Sequence, residues 1–509
     1  MTAVLQRVRT SVTGVCLVVA LAGAGLLVAA GPAAAATCNA PVRYSTTSDT
    51  IYLTSGTAVD TLTEIKAACP SAPLTQVAPK VWQLDADLVL QNGATLNLAA
   101  AGDVTELRLQ SLPSGLQNEV AALTAQYGTL NLTGVKVTSW NGTGPDTDVA
   151  VPTGGVRGRA YVKAVSLMEG STPRASTMNI VDSDLGFLGF NGAEAYGVAY
   201  KARGCGIEAP SICAVLDVLG KQTGSKFHDN FFGTYTWGAK DMLFDRNTYS
   251  KNKSYGLDPH DDSDYLTITN NTFSDNGNHG LICSQRCDHL TIRANKSLNN
   301  GKIPYVGPGD DDPTDNQVHG IMLHRGVTDS VIENNEVRGQ TTGGGIVIFD
   351  SVGNRVANNT VAGNKYGLRF SVGTRDTQVV GNTVTDSTAN AVFSYKGTDT
   401  ASYTGTGGRP TGITFTDNTF TRAGAELFKV QDSDRFTFTG GSATPGTPAL
   451  GPRFERSQGS VYGPNVTTPS GTTFTLRGTT AAPTSLTITG VPASAVKVSK
   501  DAFSTATVR

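Results

Sequence analysis

The sequence predicts an all-β fold, a right-handed parallel β-helix whose coils repeat about every 24 residues behind an N-terminal cap. Three observations predict it. First, the segments FDRNTY, ITNNTF, IRANKS, IENNEV, VANNTV and VVGNTV align on Asn247, Asn271, Asn295, Asn335, Asn359 and Asn382, with spacings of 24, 24, 40, 24 and 23 residues. Second, a glycine marker precedes the later asparagines, in YGLDPHD, HGLICSQR, HGIMLHR, GGIVIFD and YGLRFSV. Third, short alternating runs of Val, Ile, Leu and Thr fill the intervals, and none of them has the length or apolar spacing of a helix. One such coil holds about three short strands and their turns, stacked about 4.8 Å above the next, so the asparagines form a ladder of side-chain amides.

Taken in order along the chain, Arg7 and Arg9 precede an apolar run from Cys16 to Ala30 and a small-residue stretch, Ala33 to Ala36. Residues 1–36 therefore read as an export signal, and the mature protein is expected to be secreted. The apolar run is short for a bilayer span, and Cys38 lacks the upstream Leu of a lipidation site, so no membrane anchor is expected. Six cysteines follow the signal, and close spacing makes Cys38–Cys69, Cys205–Cys213 and Cys283–Cys287 the simplest disulfide pairing. The segment TLTEIKAAC suggests a short capping helix, and VWQLDADLVLQNGATLNL and VTELRLQS read as the first coils. The long step in the repeat holds GKIPYVGPGDDDPTDNQ, an acidic surface loop. Residues 37–400 are assigned to the β-helix. Beyond them TGTGGRPTG reads as a turn or linker, and residues 401–509 as further coils, a cap or an accessory β extension.

A net charge of −2 argues against a nucleic-acid or membrane-surface partner, so a charged ligand must be gripped locally. Alternate residues of a strand face outward, and equivalent residues of stacked coils form columns. Aligned on Gly256, Gly280 and Gly320, the fourth residue onward is His260, Ser284 and His324. Arg286 and Arg325 fall close by, and Arg369 lies farther along the same face. Asp258 shares the side of His260, and Tyr235 and Trp237 fall beside it from the preceding coil. This inventory suits an anionic, uronate-containing polysaccharide: rings stack on sugars and Arg forks match carboxylates. It also suits removal of the weakly acidic C5 proton of a uronate, with His260 as base, Arg286 neutralising the carboxylate and Asp258 orienting the imidazole.

The run YGLDPHDDSD, with Asp258, Pro259, His260 and Asp261, resembles the DPHD motif of the bacterial mannuronan C5-epimerases. TLNLTGVKVTSWN, FFGTYTWGAKDMLFDRNTYSKN and HGLICSQR extend the resemblance, which covers roughly residues 80–400. It implies that His260 is the base, that Arg286 neutralises the carboxylate, and that water supplies the proton on the opposite face. No cofactor or metal is implied, and a monomer is expected. The chain departs from the family at Gln285, which is inserted before the arginine, and at the acidic loop around Asp310, Asp311 and Asp312, which would repel polymannuronate or select another uronan.

Other readings remain open at this level. A polysaccharide lyase shares the first step and then eliminates the 4-linked sugar. A non-catalytic glycan-binding solenoid would keep the face without needing His260. A hydrolase would need paired carboxylates flanking the bond, and the face is centred on histidine and arginine. Arg325, His324 and Arg369 suit substrate contact or solvated coil surface equally. His279 and His319 read as stacked turn residues. Asp261 supports the site, and Asp262 and Asp264 read as a solvated acidic turn rather than a calcium loop.

Overall fold

The computed structural model describes residues 38–54, 59–111, 120–147, 158–301, 318–446 and 450–509. The export signal and the acidic loop with Asp310, Asp311 and Asp312 lie outside the described residues. Within them, the chain winds through three sheets of 18, 14 and 15 strands. A single coil shows the path. Phe232–Trp237 lies in the 18-stranded sheet, Leu243–Asp245 in the 15-stranded one and Thr248–Ser250 in the 14-stranded one, before Leu257–His260 returns to the first. Pairing from coil to coil is parallel and in register: Leu257, Leu281, Ile321, Ile346, Leu368 and Val392 stand in one row. The expected parallel β-helix is the observed fold.

The interior follows from alternation. One side chain in two points inward and meets its equivalent in the next coil, so Phe244, Ile268, Ile292, Ile332, Val356, Val379, Phe415 and Phe438 form a continuous apolar column. The marker glycines have a steric cause. A Cβ on Gly256 would sit 2.4 Å from the carbonyl oxygen of Gly280, and one on Gly367 would sit 2.2 Å from Val384. The strand enters the 18-stranded sheet too close to its neighbours for any side chain.

The expected asparagine ladder is continuous from Asn247 to Asn418. Each amide oxygen accepts from the backbone N–H of the preceding ladder residue, and each amide NH2 satisfies a strand carbonyl, as Asn295 does with Ile268 at 2.8 Å. These turns are buried, and the amides replace the water that their backbone groups would otherwise need. A second ladder runs through Asn230, Asn252, Asn276 and Asn300 at the next corner. Its members recur in the sequence at spacings of 22 to 24 residues. Replacing Asn295 with Ala strands the buried Asn271 backbone N–H and the Ile268 carbonyl. At about 1–3 kcal/mol for each of the two unsatisfied groups, the expected loss is about 2–6 kcal/mol, read as a lower urea midpoint. An unchanged midpoint would mean that the ladder carries no stability.

The N-terminus is capped as expected. The helix Leu62–Ala68 starts with a capping box between Thr61 and Glu64, and Leu62 and Ile65 enter the core. The antiparallel hairpin of Val42–Ser45 and Thr50–Thr54 lays its second strand on Asp87–Gln91. Cys38–Cys69, Cys205–Cys213 and Cys283–Cys287 are the disulfides. Past residue 400, strands from Thr414–Thr416 to Ser504–Val508 continue all three sheets in parallel register, so this region forms further coils.

Candidate active site

The outer face of the 18-stranded sheet carries the site. Leu257 points into the core, so Asp258 and His260 point out. The register sets Tyr235 beside Asp258 and Trp237 beside His260. One coil earlier, Lys201 stands beside Trp237. The indole is therefore held between two coils: the His260 ring stacks on it at 5.3 Å and 11°, and the Lys201 ammonium lies 3.5 Å from its ring centre on the side of the preceding coil. Its Nε1 donates to the carbonyl of Cys205 at 2.7 Å. Tyr235 is only 6% exposed and packs on Tyr196 at 4.9 Å. Both aromatics expected to stack on sugar thus pack within the protein instead and fix the imidazole.

The strand ends at His260, and the turn that follows decides the chemistry. Asp261 takes a positive φ of 26°, which curls its carboxylate back to His260 Nδ1 as an ion pair rather than an aligned hydrogen bond. The sequence pattern assigns the orienting role to Asp258, but the structure gives that contact to Asp261. Asp258 instead accepts from the Ser284 hydroxyl at 2.8 Å. Nε2 is left as the ring nitrogen that can take a proton from a ligand. Burial by itself would lower the pKa of His260, but the charges of Asp261 and Asp258 outweigh it and raise the value. Burial pushes the Asp258 carboxyl up to about 7, against the opposing pull of His260 and Ser284.

Arg286 lies in the equivalent turn one coil on. Its Nη2 pairs with Asp261 and, at 3.0 Å, with Asp262, and its Nε donates to Asp262 at 3.2 Å. Its Nη1 donates to Gln285 Oε1 and to Tyr403 Oη, each at 3.3 Å. A guanidinium has five N–H donors, and all five are used. A substrate carboxylate can reach Arg286 only by displacing one of them. Asp262 is therefore part of an ion-pair network, not a solvated turn, and Asp264 accepts from the backbone N–H of Asp288 at 2.8 Å. The Cys283–Cys287 disulfide brackets this arginine from below, with both sulfur-bearing residues buried.

The remaining expected residues spread along the groove. His324 sits two coils beyond His260 and accepts from Arg325 Nε at 3.2 Å. Burial, aided by the charge of Arg325, pulls its pKa down to about 3, so it is a neutral ring. Arg325 also faces Asp399 at 3.5 Å. Arg369 shares the column of Asp258 but lies four coils along, about 19 Å away at the usual strand spacing. Ile282, Met322 and Val347 separate the two, and Arg369 engages Tyr395. It belongs to the same face and to a different point on it. His279 stacks on Tyr255 on one side and on His319 on the other, and each imidazole Nδ1 accepts a backbone N–H, the arrangement of buried neutral turn residues.

Two residues escaped the reading of the sequence. Lys201 lies before the regular repeats, separated from Trp237 by the Cys205–Cys213 loop. Tyr403 lies immediately before the segment TGTGGRPTG, which reads as a turn or linker. Among the described residues, the one cluster with metal-ligand spacing is Cys205, Cys213 and Asp262, and its two cysteines are joined as a disulfide.

The fold and its residues have clear relatives. Residues 200–309 match the family described as "Right handed beta helix region", and residues 312–424 match "Periplasmic copper-binding protein (NosD)". Mannuronan C5-epimerase AlgG of Azotobacter vinelandii is 28% identical over 210 residues, which are 41% of this chain and 35% of that protein. Mannuronan C5-epimerase of Pseudomonas putida is 26% identical over 308 residues, 60% of this chain and 47% of that one. The crystal structure of the periplasmic alginate epimerase AlgG superposes with a TM-score of 0.60 at 20% identity, covering 75% of this chain and 82% of that one. This chain spans less than half the length of the curated relatives it matches. Over that shared span the chain is similar to the mannuronan C5-epimerases, and the right-handed parallel β-helix is its framework.

Proposed function

We propose that the protein is a polysaccharide uronate C5-epimerase acting outside the cytoplasm, with polymannuronate as the reference substrate. The observation that carries this reading is the pairing of His260 with Asp261 beside Arg286 on an open face, in a chain whose relatives are named mannuronan C5-epimerases. His260 Nε2 takes the C5 proton. The electrons left behind spread into the adjacent carboxylate, and Arg286, with Lys201 as a second local cation, offsets the added charge. The proton returns from water on the opposite face, which inverts C5 and leaves the glycosidic bond intact. Asp261 and Trp237 hold the imidazole in place. Three disulfides support an oxidising compartment, and secretion past the cell is the corresponding reading of the N-terminal signal.

Proton NMR of polymannuronate incubated with the protein in heavy water tests this. Guluronate signals with deuterium at C5 are the expected product. Olefinic signals from 4,5-unsaturated ends would replace the epimerase with a lyase. A folded protein that leaves every uronan untouched would make the face a binding surface.

A further inference from the structure

The loop after the strand Asn390–Tyr395 does not lead directly to the next coil. It runs back along the corner of the helix towards the N-terminus, across the turns of four earlier coils. Gly408 accepts from the N–H of Gly373 at 2.9 Å, and Thr406 donates to the Gly373 carbonyl at 3.3 Å. Farther back, the fully buried carboxylate of Asp350 gathers the backbone N–H groups of Ser402, Tyr403 and Thr404 and the Thr404 hydroxyl, at 2.8 to 3.3 Å. Beyond that, Tyr403 lies on Gly326 so closely that a Cβ there would meet its ring at 2.7 Å. Its hydroxyl ends at Arg286 Nη1. A single buried acid thus anchors a strap whose tip reaches a residue 117 positions away in sequence.

The two edges of Arg286 differ. Nε and Nη2 face the carboxylates of Asp261 and Asp262, whereas Nη1 faces two neutral oxygens, each at 3.3 Å. A carboxylate competes well against neutral acceptors and poorly against charged ones, because only a charged acceptor adds charge–charge attraction and the matched fork geometry to a bond from a guanidinium. The Nη1 edge is therefore the exchangeable one. As an acceptor from Arg286, the Tyr403 hydroxyl keeps its own hydrogen to give, and the Gln285 amide carries two donors. We infer that Arg286 Nη1, Gln285 and Tyr403 form a cradle for a uronate carboxylate, and that the strap exists to bring Tyr403 to it. The cradle deepens the epimerase reading and rests on it for the identity of the ligand. It also gives the inserted Gln285 a task.

Tyr403→Phe keeps the ring on Gly326 and removes only the hydroxyl, while Asp350→Asn loosens the strap from a distance. With polymannuronate, Tyr403→Phe is expected to raise KM about tenfold, the worth of one hydrogen bond to a charged group, while kcat changes by less than about twofold. A second measurement needs no turnover. Phenylglyoxal labelling, followed residue by residue by mass spectrometry, should modify Arg286 several-fold faster in both variants, with the exposed Arg246 as the internal reference. Unchanged KM together with unchanged labelling overturns the cradle. If the wild-type protein leaves mannuronan untouched, the epimerase reading fails by itself, and labelling still decides: faster modification in both variants upholds the cradle, and equal rates overturn it.

Discussion

His260→Gln is expected to abolish C5 deuterium incorporation into polymannuronate, while the protein stays folded and keeps its affinity for the polymer. General-base catalysis contributes about 10²–10⁴-fold, so turnover should fall by at least that factor. Glutamine spans a similar reach and bonds to the same neighbours, but it cannot accept a proton from carbon at neutral pH. Folding should tolerate the change because the ring is an outward residue at the end of a strand, with its side chain 25% exposed. Asp261 keeps Arg286 as a partner in the variant. The rival base is Asp258, whose carboxyl, pushed up to about 7, also titrates near neutrality. Access decides between them, since Asp258 is only 2% exposed and already bonded to Ser284. Surviving exchange in His260→Gln, lost in Asp258→Asn, would transfer the role to the carboxylate.

Much of this arrangement was legible because a solenoid repeats its constraints. Every coil must satisfy the same buried turn, so asparagine recurs at one spacing, and every coil must enter the sheet at the same close approach, so glycine does too. Once those two rows are aligned, alternation places Asp258 with Tyr235 and His260 with Trp237, as the strand register has them. What stayed hidden breaks the repeat. Lys201 enters the same column through a register shift between Gly197 and Ala199, which no spacing reveals. The choice of Asp261 over Asp258 as the imidazole's partner depends on a left-handed turn residue, and two adjacent aspartates do not announce which one curls back. Tyr403 depends on a strap whose anchor, Asp350, looks in the sequence like one more polar turn. Stacking of Trp237 on sugar was inferred from residue type, but its ring is held between the neighbouring coils.

Asp261→Asn should act on rate and pH together. The base works only when His260 has lost its proton, so kcat/KM rises with pH through the imidazole's pKa, which lies above the ordinary value of 6.5. The groups that face the ring are Asp261 and Asp258, which hold the proton on, Lys201, which drives it off, and the aromatic walls Trp237 and Tyr235. Removing the charge of Asp261 takes away one of the two that hold the proton, so the acid limb of kcat/KM must move to lower pH. The plateau should fall nonetheless, by about 10²-fold. A less basic imidazole draws the C5 proton less strongly, and an amide at this position can present its NH2 to Nδ1, shifting the ring proton onto Nε2 and blocking the base. The Arg286 guanidinium loses one of its two carboxylates and keeps Asp262, so the turn should hold its shape. An acid limb that stays put or moves upward would mean that Asp261 serves Arg286 alone, and that the ring is set by its stacking on Trp237.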